Sequence, residues 1–419
     1  MRIAIKNGRI VDPASGRDAI GELYIADGEV SAESGRADRT IDAKGLVVAP
    51  GFIDIAARLR EPGFEYKATL ESEMEAALAG GVTSLACPPD TDPPLDEPGL
   101  VDMLRRRAKA LSRARVYPLG ALTVKLEGEH LTEMAQLAEA GCIAFSQANA
   151  PIADTQVLWR ALQYAATFGF RVWLRPEDAW LAKGGVAHDG EVATRLGLPG
   201  IPPFAETIAL ATTLELVRAT GARVHFCRLS SAGAVEMMRA AKRDGLAVSC
   251  DVGIHHLHLS DLDLGYFDAS CRLEPPLRSE RDREALARGL EEEVIDCVCS
   301  DHTPIDDDGK HLPFAEAEPG ATGLELLLPL TLKWGESRHL SLAATLAPIT
   351  SRAAQVLGVA AGRLTPGAAG DVAIFDPKAA FRVSPETLRS QGKHTPFAGH
   401  ELAGRVRYTI VDGKLVYEA

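Results

Sequence analysis

The chain has 419 residues, 46% of them hydrophobic and 25% charged, which is enough for one large core and a smaller module. Its formal net charge is −13 with no basic run to follow a phosphate backbone, and this excludes a nucleic-acid partner. No apolar stretch reaches the roughly 18 to 20 residues of a bilayer span; the run at 324–332 is interrupted by Glu325 and Pro329, so no membrane role is expected.

Met1-Arg2-Ile3-Ala4-Ile5-Lys6-Asn7-Gly8 alternates like a strand and lacks the apolar core of a secretion signal, so a cytoplasmic protein is expected. Further strand-like pieces lie at 22–25, 371–375 and 408–411, the last followed by the hairpin signal Asp412-Gly413. Between these ends, short apolar runs alternate with helical patterns that open on capping residues and close near glycines. The units in order are 52–55 with 69–79, 84–87 with 100–111, 116–122 with 131–141, and 143–145 with 155–169. They continue as 171–174 with 205–221, 224–229 with 230–245, 247–252 with 280–293, and 295–300 with 324–334. Eight strand–helix repeats predict an α/β protein built on a (β/α)8 barrel of the TIM type, with its working residues at the C-terminal ends of the strands. Cysteines 87, 142, 227, 250, 271, 297 and 299 are odd in number and scattered through apolar runs, the pattern of reduced, buried thiols. Cys297-Val298-Cys299 puts two thiols on one strand face, which alone is not a zinc site.

The segment from Pro50 to Gly63 closely resembles the first barrel strand of dihydroorotases, members of the amidohydrolase superfamily, which reads Asp-x-His-x-His-Leu-Arg-Glu-Pro-Gly. Family-like pieces recur along nearly the whole chain. They include Leu59-Arg60-Glu61-Pro62-Gly63, Leu196-Gly197-Leu198-Pro199-Gly200, Ser230-Ser231-Ala232-Gly233, His255-His256-Leu257, Pro275-Pro276-Leu277-Arg278 and Thr395-Pro396-Phe397. The resemblance implies a barrel over 51–359 and a composite β-sandwich of 1–50 with 360–419. It also implies family chemistry in which zinc supplies a hydroxide and polarises a ring carbonyl, interconverting carbamoyl aspartate and dihydroorotate.

At the positions where the resemblance places the metal ligands, this chain carries Ala56, Arg58, Ala148, Arg175 and Arg228, and only Asp301 on the eighth strand is kept. An alanine methyl has no lone pair, and a guanidinium stays protonated and accepts nothing. Zinc wants three or four N, O or S donors, so no cofactor is expected. The three arginines are expected to converge on the barrel mouth and pair with Asp301, Glu177, Glu61 or Asp90. The substrate side differs as well: Arg60 is kept, but Asp90 would repel an anion, Glu274 replaces an Asn and Ile305 a His. Arg60 is then expected as a fork for Asp90 or Glu274. His255, His256 and His258 match a loop element and not a ligand set, His302 should point away from Asp301, and His225 should face the barrel's outer layer.

What the resemblance implies for function is a chain that is not an enzyme but a structural subunit of pyrimidine biosynthesis. It would be a homodimer within a larger hetero-oligomer that holds the aspartate transcarbamoylase catalytic subunit. The alternative reading is a metal-independent or altered-specificity amidohydrolase, or an anion-binding protein, using Asp301 with Arg58, Arg175 and Arg228. Residual dihydroorotase activity is the remaining option.

Overall fold

Period-two burial along the short apolar runs sets the architecture. In Arg171–Leu174, Trp173 packs with Ile53, Ile55, Ala86, Leu119, Ala144, Cys297 and Cys299 in one interior cluster. Its neighbours Val172 and Leu174 join Phe226, Val252 and Val298 against the surrounding helices. The computed structural model describes residues 2–419; Met1, counted above with the first strand and with segment 1–50, lies outside the described residues.

Eight parallel strands follow in chain order: Phe52–Asp54, Val82–Cys87, Arg115–Pro118 continued by Gly120–Ala121, Phe145–Ser146, Arg171–Leu174, Arg223–Phe226, Val248–Gly253 and Cys297–Cys299. Each pairs with the next, and the parallel bridge from Ala57 to His302 closes the ring. The third strand breaks at Leu119, whose N–H bonds the Cys87 carbonyl, so its two halves pair with different neighbours.

The helices start and stop for the local reasons read from the sequence. Thr69 forms a capping box with Ser72 ahead of Leu70–Ala79, and Ser231 and Ser279 cap Ala232–Arg243 and Glu280–Glu291. Gly221 ends Pro203–Thr220 at φ +70°, a left-handed conformation that glycine adopts without a Cβ clash. The expected helix 324–334 divides into a 3-10 turn, Leu324–Leu326, and the helix Leu327–Ser337, with Pro329 in the first turn of the latter. Residues 305–311, whose conformation the sequence left open, form the short helix Asp307–Lys310, which buries Lys310 against the carbonyls of Ala269 and Arg272.

Both chain ends enter one eight-stranded mixed sheet, in which Val372–Arg382 pairs with Glu401–Val411 and with Val47–Pro50. Ile3, Ile5, Ile10, Leu23, Ile25, Val48, Ile374 and Ile410 form its own core. Among the described residues no helix is long and apolar enough to cross a membrane.

The C-terminal return also docks on the barrel through Glu325, whose Oε1 accepts the backbone N–H groups of Arg389 and Ser390 at 2.7 and 3.0 Å. Burial pushes its carboxyl up to about 7. A folded-state value above the unfolded one gives stability that is complete at low pH and lost as pH rises toward the folded value. Glu325→Gln keeps the accepting oxygen and removes the titration. Urea midpoints of the variant should therefore gain on the parent chain steadily from about pH 4.5 to 7; parallel pH profiles would refute the assignment.

Candidate functional site at the barrel mouth

Four non-glycine residues at the strand ends adopt left-handed backbone: Arg60, Ala148, Arg228 and Asp301, with φ of +61°, +50°, +55° and +47°. Such conformations cost energy and turn side chains out of strand alternation, here into the mouth. Gly63 lets the loop after the first strand approach the next one: a Cβ on it would stand 2.2 Å from the Asp92 carbonyl oxygen.

Arg58 is buried and fully engaged. Its Nε donates to Asp90 at 2.7 Å, Nη1 to Thr303 at 3.0 Å and to Asp301 at 3.5 Å, and Nη2 to Asn149 Oδ1 at 3.1 Å. Arg228 donates from Nη1 to the same Asp301 Oδ1 at 2.9 Å and from Nη2 to Asn149 Oδ1 at 2.6 Å. Arg175 forms a two-pronged pair with Glu177 at 2.5 and 2.7 Å and reaches Glu274 at 2.9 Å and the Asn149 carbonyl at 2.9 Å. Asn149 Nδ2 then donates to Glu274 at 3.2 Å. Burial works against the charge of Arg228, but Asp301 and neighbouring acidic groups outweigh it and its pKa is raised. At Asp90 burial raises the carboxyl pKa, and Arg58, with Arg60 and Arg228, more than reverses it.

The three arginines are buried in the cage. Several expectations change here. Glu61 is not their partner: it accepts the Leu70 N–H and pairs with Arg107. Arg60 forks to neither Asp90 nor Glu274; its Nε donates to the Pro304 carbonyl at 2.9 Å, and its guanidinium lies over Phe64. Burial, with Arg58 nearby, pulls its pKa down to about 10. Ile305 is buried beside Gly309. His225 points into the barrel, not outward: it packs on Trp173, with Nε2 at 2.8 Å from Asp251 and Nδ1 at 2.8 Å from Ser249. Inward alternation runs Arg223, His225, Cys227, and the left-handed turn at Arg228 then brings the next residue inward as well. His302 turns away from the mouth to Glu73, and His256 and His258 bond backbone carbonyls.

Asn149 and Asp251 were missed. Asn149 is the hub of the three arginines, and Asp251 fixes the Arg228 N–H at 2.9 Å. The one sequence signal for Asn149 was its place at the end of the fourth strand, beside Ala148.

This set does not fit a divalent cation. Ala56 offers no donor, Arg58, Arg175 and Arg228 offer only N–H groups, and the Asp301 Oδ1 is occupied by two guanidiniums. Below it, burial and Asp251 raise the pKa of the Cys227 thiol well above the ordinary value.

A dihydro-orotase-like family model matches residues 45–234 and an amidohydrolase family model matches 184–417. A dihydroorotase-like protein of Pseudomonas aeruginosa is 44% identical over 423 residues, covering 100% of both chains. A dihydroorotase of Geobacter sp. (strain M21) is 39% identical over 424 residues, again with 100% of each covered. Among solved structures, the L-hydantoinase (dihydropyrimidinase) from Arthrobacter aurescens aligns with a TM-score of 0.87 at 25% identity, covering 99% of this chain and 96% of that one. The chain belongs to the dihydroorotase-like group of the amidohydrolase family. These relatives correct the expectation of a chain that is not an enzyme: whole-length relatives at 37–40% identity are named dihydroorotases, and the structural neighbour is a hydantoinase. The physical reason is that replaced ligands bear on metal chemistry and leave open catalysis by other groups, Asp301 among them.

Proposed function

We propose that this dihydroorotase-like amidohydrolase serves pyrimidine biosynthesis in a complex with the aspartate transcarbamoylase catalytic subunit, as a homodimer within a larger hetero-oligomer, and that its barrel mouth works without zinc. The observation that supports this reading is the closed cage. Arg58, Arg175 and Arg228 pair with Asp90, Glu177, Glu274 and Asp301, so the carboxylates of the mouth are met by guanidiniums without an added cation. A mouth whose charges are met from within holds the strand ends together without a bound ion, as suits a subunit whose barrel is part of a larger assembly. Coexpression with the transferase tests the partnership: gel filtration should give one joint high-mass species. Two independent peaks with an intact transferase would overturn it.

The relatives' names favour a second reading, a cyclic-amide hydrolase that moves protons through Asp301 without a metal. In that case ring-opening activity should survive exhaustive chelation and disappear in Asp301→Asn. Zinc located at Asp301 by anomalous scattering would overturn the zinc-free mouth.

A further inference from the structure

Outside the mouth, three metal-ligating side chains converge from two segments far apart in sequence. Asp307 and His311 stand four residues apart on the single helical turn after the eighth strand, where the His311 N–H bonds the Asp307 carbonyl at 2.9 Å. Four residues is close to one helical period, so both side chains lie on one face. His394 comes from the C-terminal return, with its Nε2 at 2.8 Å from Asp307 Oδ1 and its ring edge-on to that of His311, centroids 5.8 Å apart. One ligand atom from each of the three lies within 4.8 Å of the others.

We propose that Asp307, His311 and His394 bind a divalent ion of the zinc class, which clips the loop of the eighth strand to the C-terminal return. Two imidazole nitrogens and one carboxylate oxygen are the donors such borderline ions prefer, with water completing the fourth position. Ligands about 2.0–2.1 Å from a tetrahedral ion stand about 3.4 Å apart, so small side-chain rotations close the observed spacing. The backbone is already fixed. The Thr322 N–H holds the His394 carbonyl at 2.8 Å and the Thr322 hydroxyl holds that of Gly392 at 2.8 Å. The two segments touch so closely that a Cβ on Gly392 would lie 2.5 Å from Pro304 Cβ. The nearest cation on the turn does not compete, since Lys310 turns inward to the carbonyls of Ala269 and Arg272. Asp306 and Asp308 flank the site and add negative potential.

The test is calorimetric titration of the full chain, stripped of metal by chelation, with zinc chloride. One equivalent should bind and raise the melting temperature. Binding should weaken at least about tenfold in His311→Ala and in His394→Ala and stay unchanged in the control Asp308→Asn. Asp308 and His311 are exposed and His394 is partly buried, and unchanged circular dichroism of each variant certifies that it folds. Magnesium, which takes oxygen ligands, should not compete at equal concentration. No zinc binding by the parent chain, binding as tight as the parent's in either alanine variant, or zinc retained when His311→Ala and His394→Ala are combined would each overturn the assignment. Competition by magnesium would do so too.

Discussion

Replacing Arg228 with methionine is expected to lower unfolding stability by about 3–5 kcal/mol, the cost of leaving a buried charge without its partner. Methionine fills most of the arginine stem, so the loss comes from charge and hydrogen bonding more than from volume. Without Arg228, Asp301 Oδ1 keeps only the long 3.5 Å contact to Arg58, and Asn149 Oδ1 loses its shortest donor at 2.6 Å. Arg228 and Asp301 have side-chain exposures of 5% and 9%, so water cannot take the missing place. Urea unfolding followed by circular dichroism measures the effect as a shifted midpoint at constant slope. The double variant Arg228→Met with Asp301→Asn should recover part of the loss, because the orphaned charge is removed with its partner. As a reference, Arg106→Ala, which removes an exposed i,i+4 pair to Asp102, should change stability by less than about 0.5 kcal/mol. A comparably small effect in Arg228→Met would mean that the cage does not hold the mouth together.

Glu73→Ala should be equally damaging, at about 3–5 kcal/mol, and for a different reason. Glu73 lies on the helix Leu70–Ala79 with 0% side-chain exposure and joins three parts of the chain. Its carboxylate accepts from His302 Nε2 at 2.7 Å, from the Ser390 hydroxyl at 2.7 Å and from the Gln391 N–H at 3.0 Å. The Gly323 N–H donates to His302 Nδ1 at 3.1 Å, which makes Nδ1 the acceptor and leaves the proton on Nε2, aimed at Glu73. Removing the carboxylate leaves the His302 and Ser390 donors buried and unmet, each costing about 1–3 kcal/mol before relaxation. Burial alone would raise the Glu73 pKa, but the hydrogen bonds and His302 reverse this and the net value is lowered. A lowered acid contributes stability above its unfolded value and loses it as pH falls through the folded one. Glu73→Gln should accordingly lie below the parent chain in stability at pH 7 and approach it below about pH 4. Thermal melts across that range decide; a constant gap would contradict an ionised Glu73 held by these hydrogen bonds.

The alternation of short strands with capped helices was legible because both periods are local: side chains two apart share a strand face, and those three or four apart share a helix face. The eight-membered barrel follows from that reading, whereas the sheet joining both ends and the placing of Arg58, Arg175, Arg228 and Asp301 at strand ends came from the family resemblance. The poverty of lone pairs at those positions was legible too, since residue type alone says what a side chain can donate. Whether the chain catalyses a reaction was not legible in this way, and its relatives corrected the expectation. Which partners meet was decided only by the tertiary structure. Asn149 became the hub because three other strands bring guanidiniums to it, and Glu61 and Arg60 found Arg107 and Pro304 in place of the expected charges. His225 points inward by ordinary alternation with Arg223 and Cys227, and it is the left-handed backbone at Arg228 that breaks the register a sequence reading must assume continuous. Asp307, His311 and His394 meet for the same reason: closing the fold brings the eighth strand's loop and the C-terminal return together, and sequence spacing carries no record of that distance.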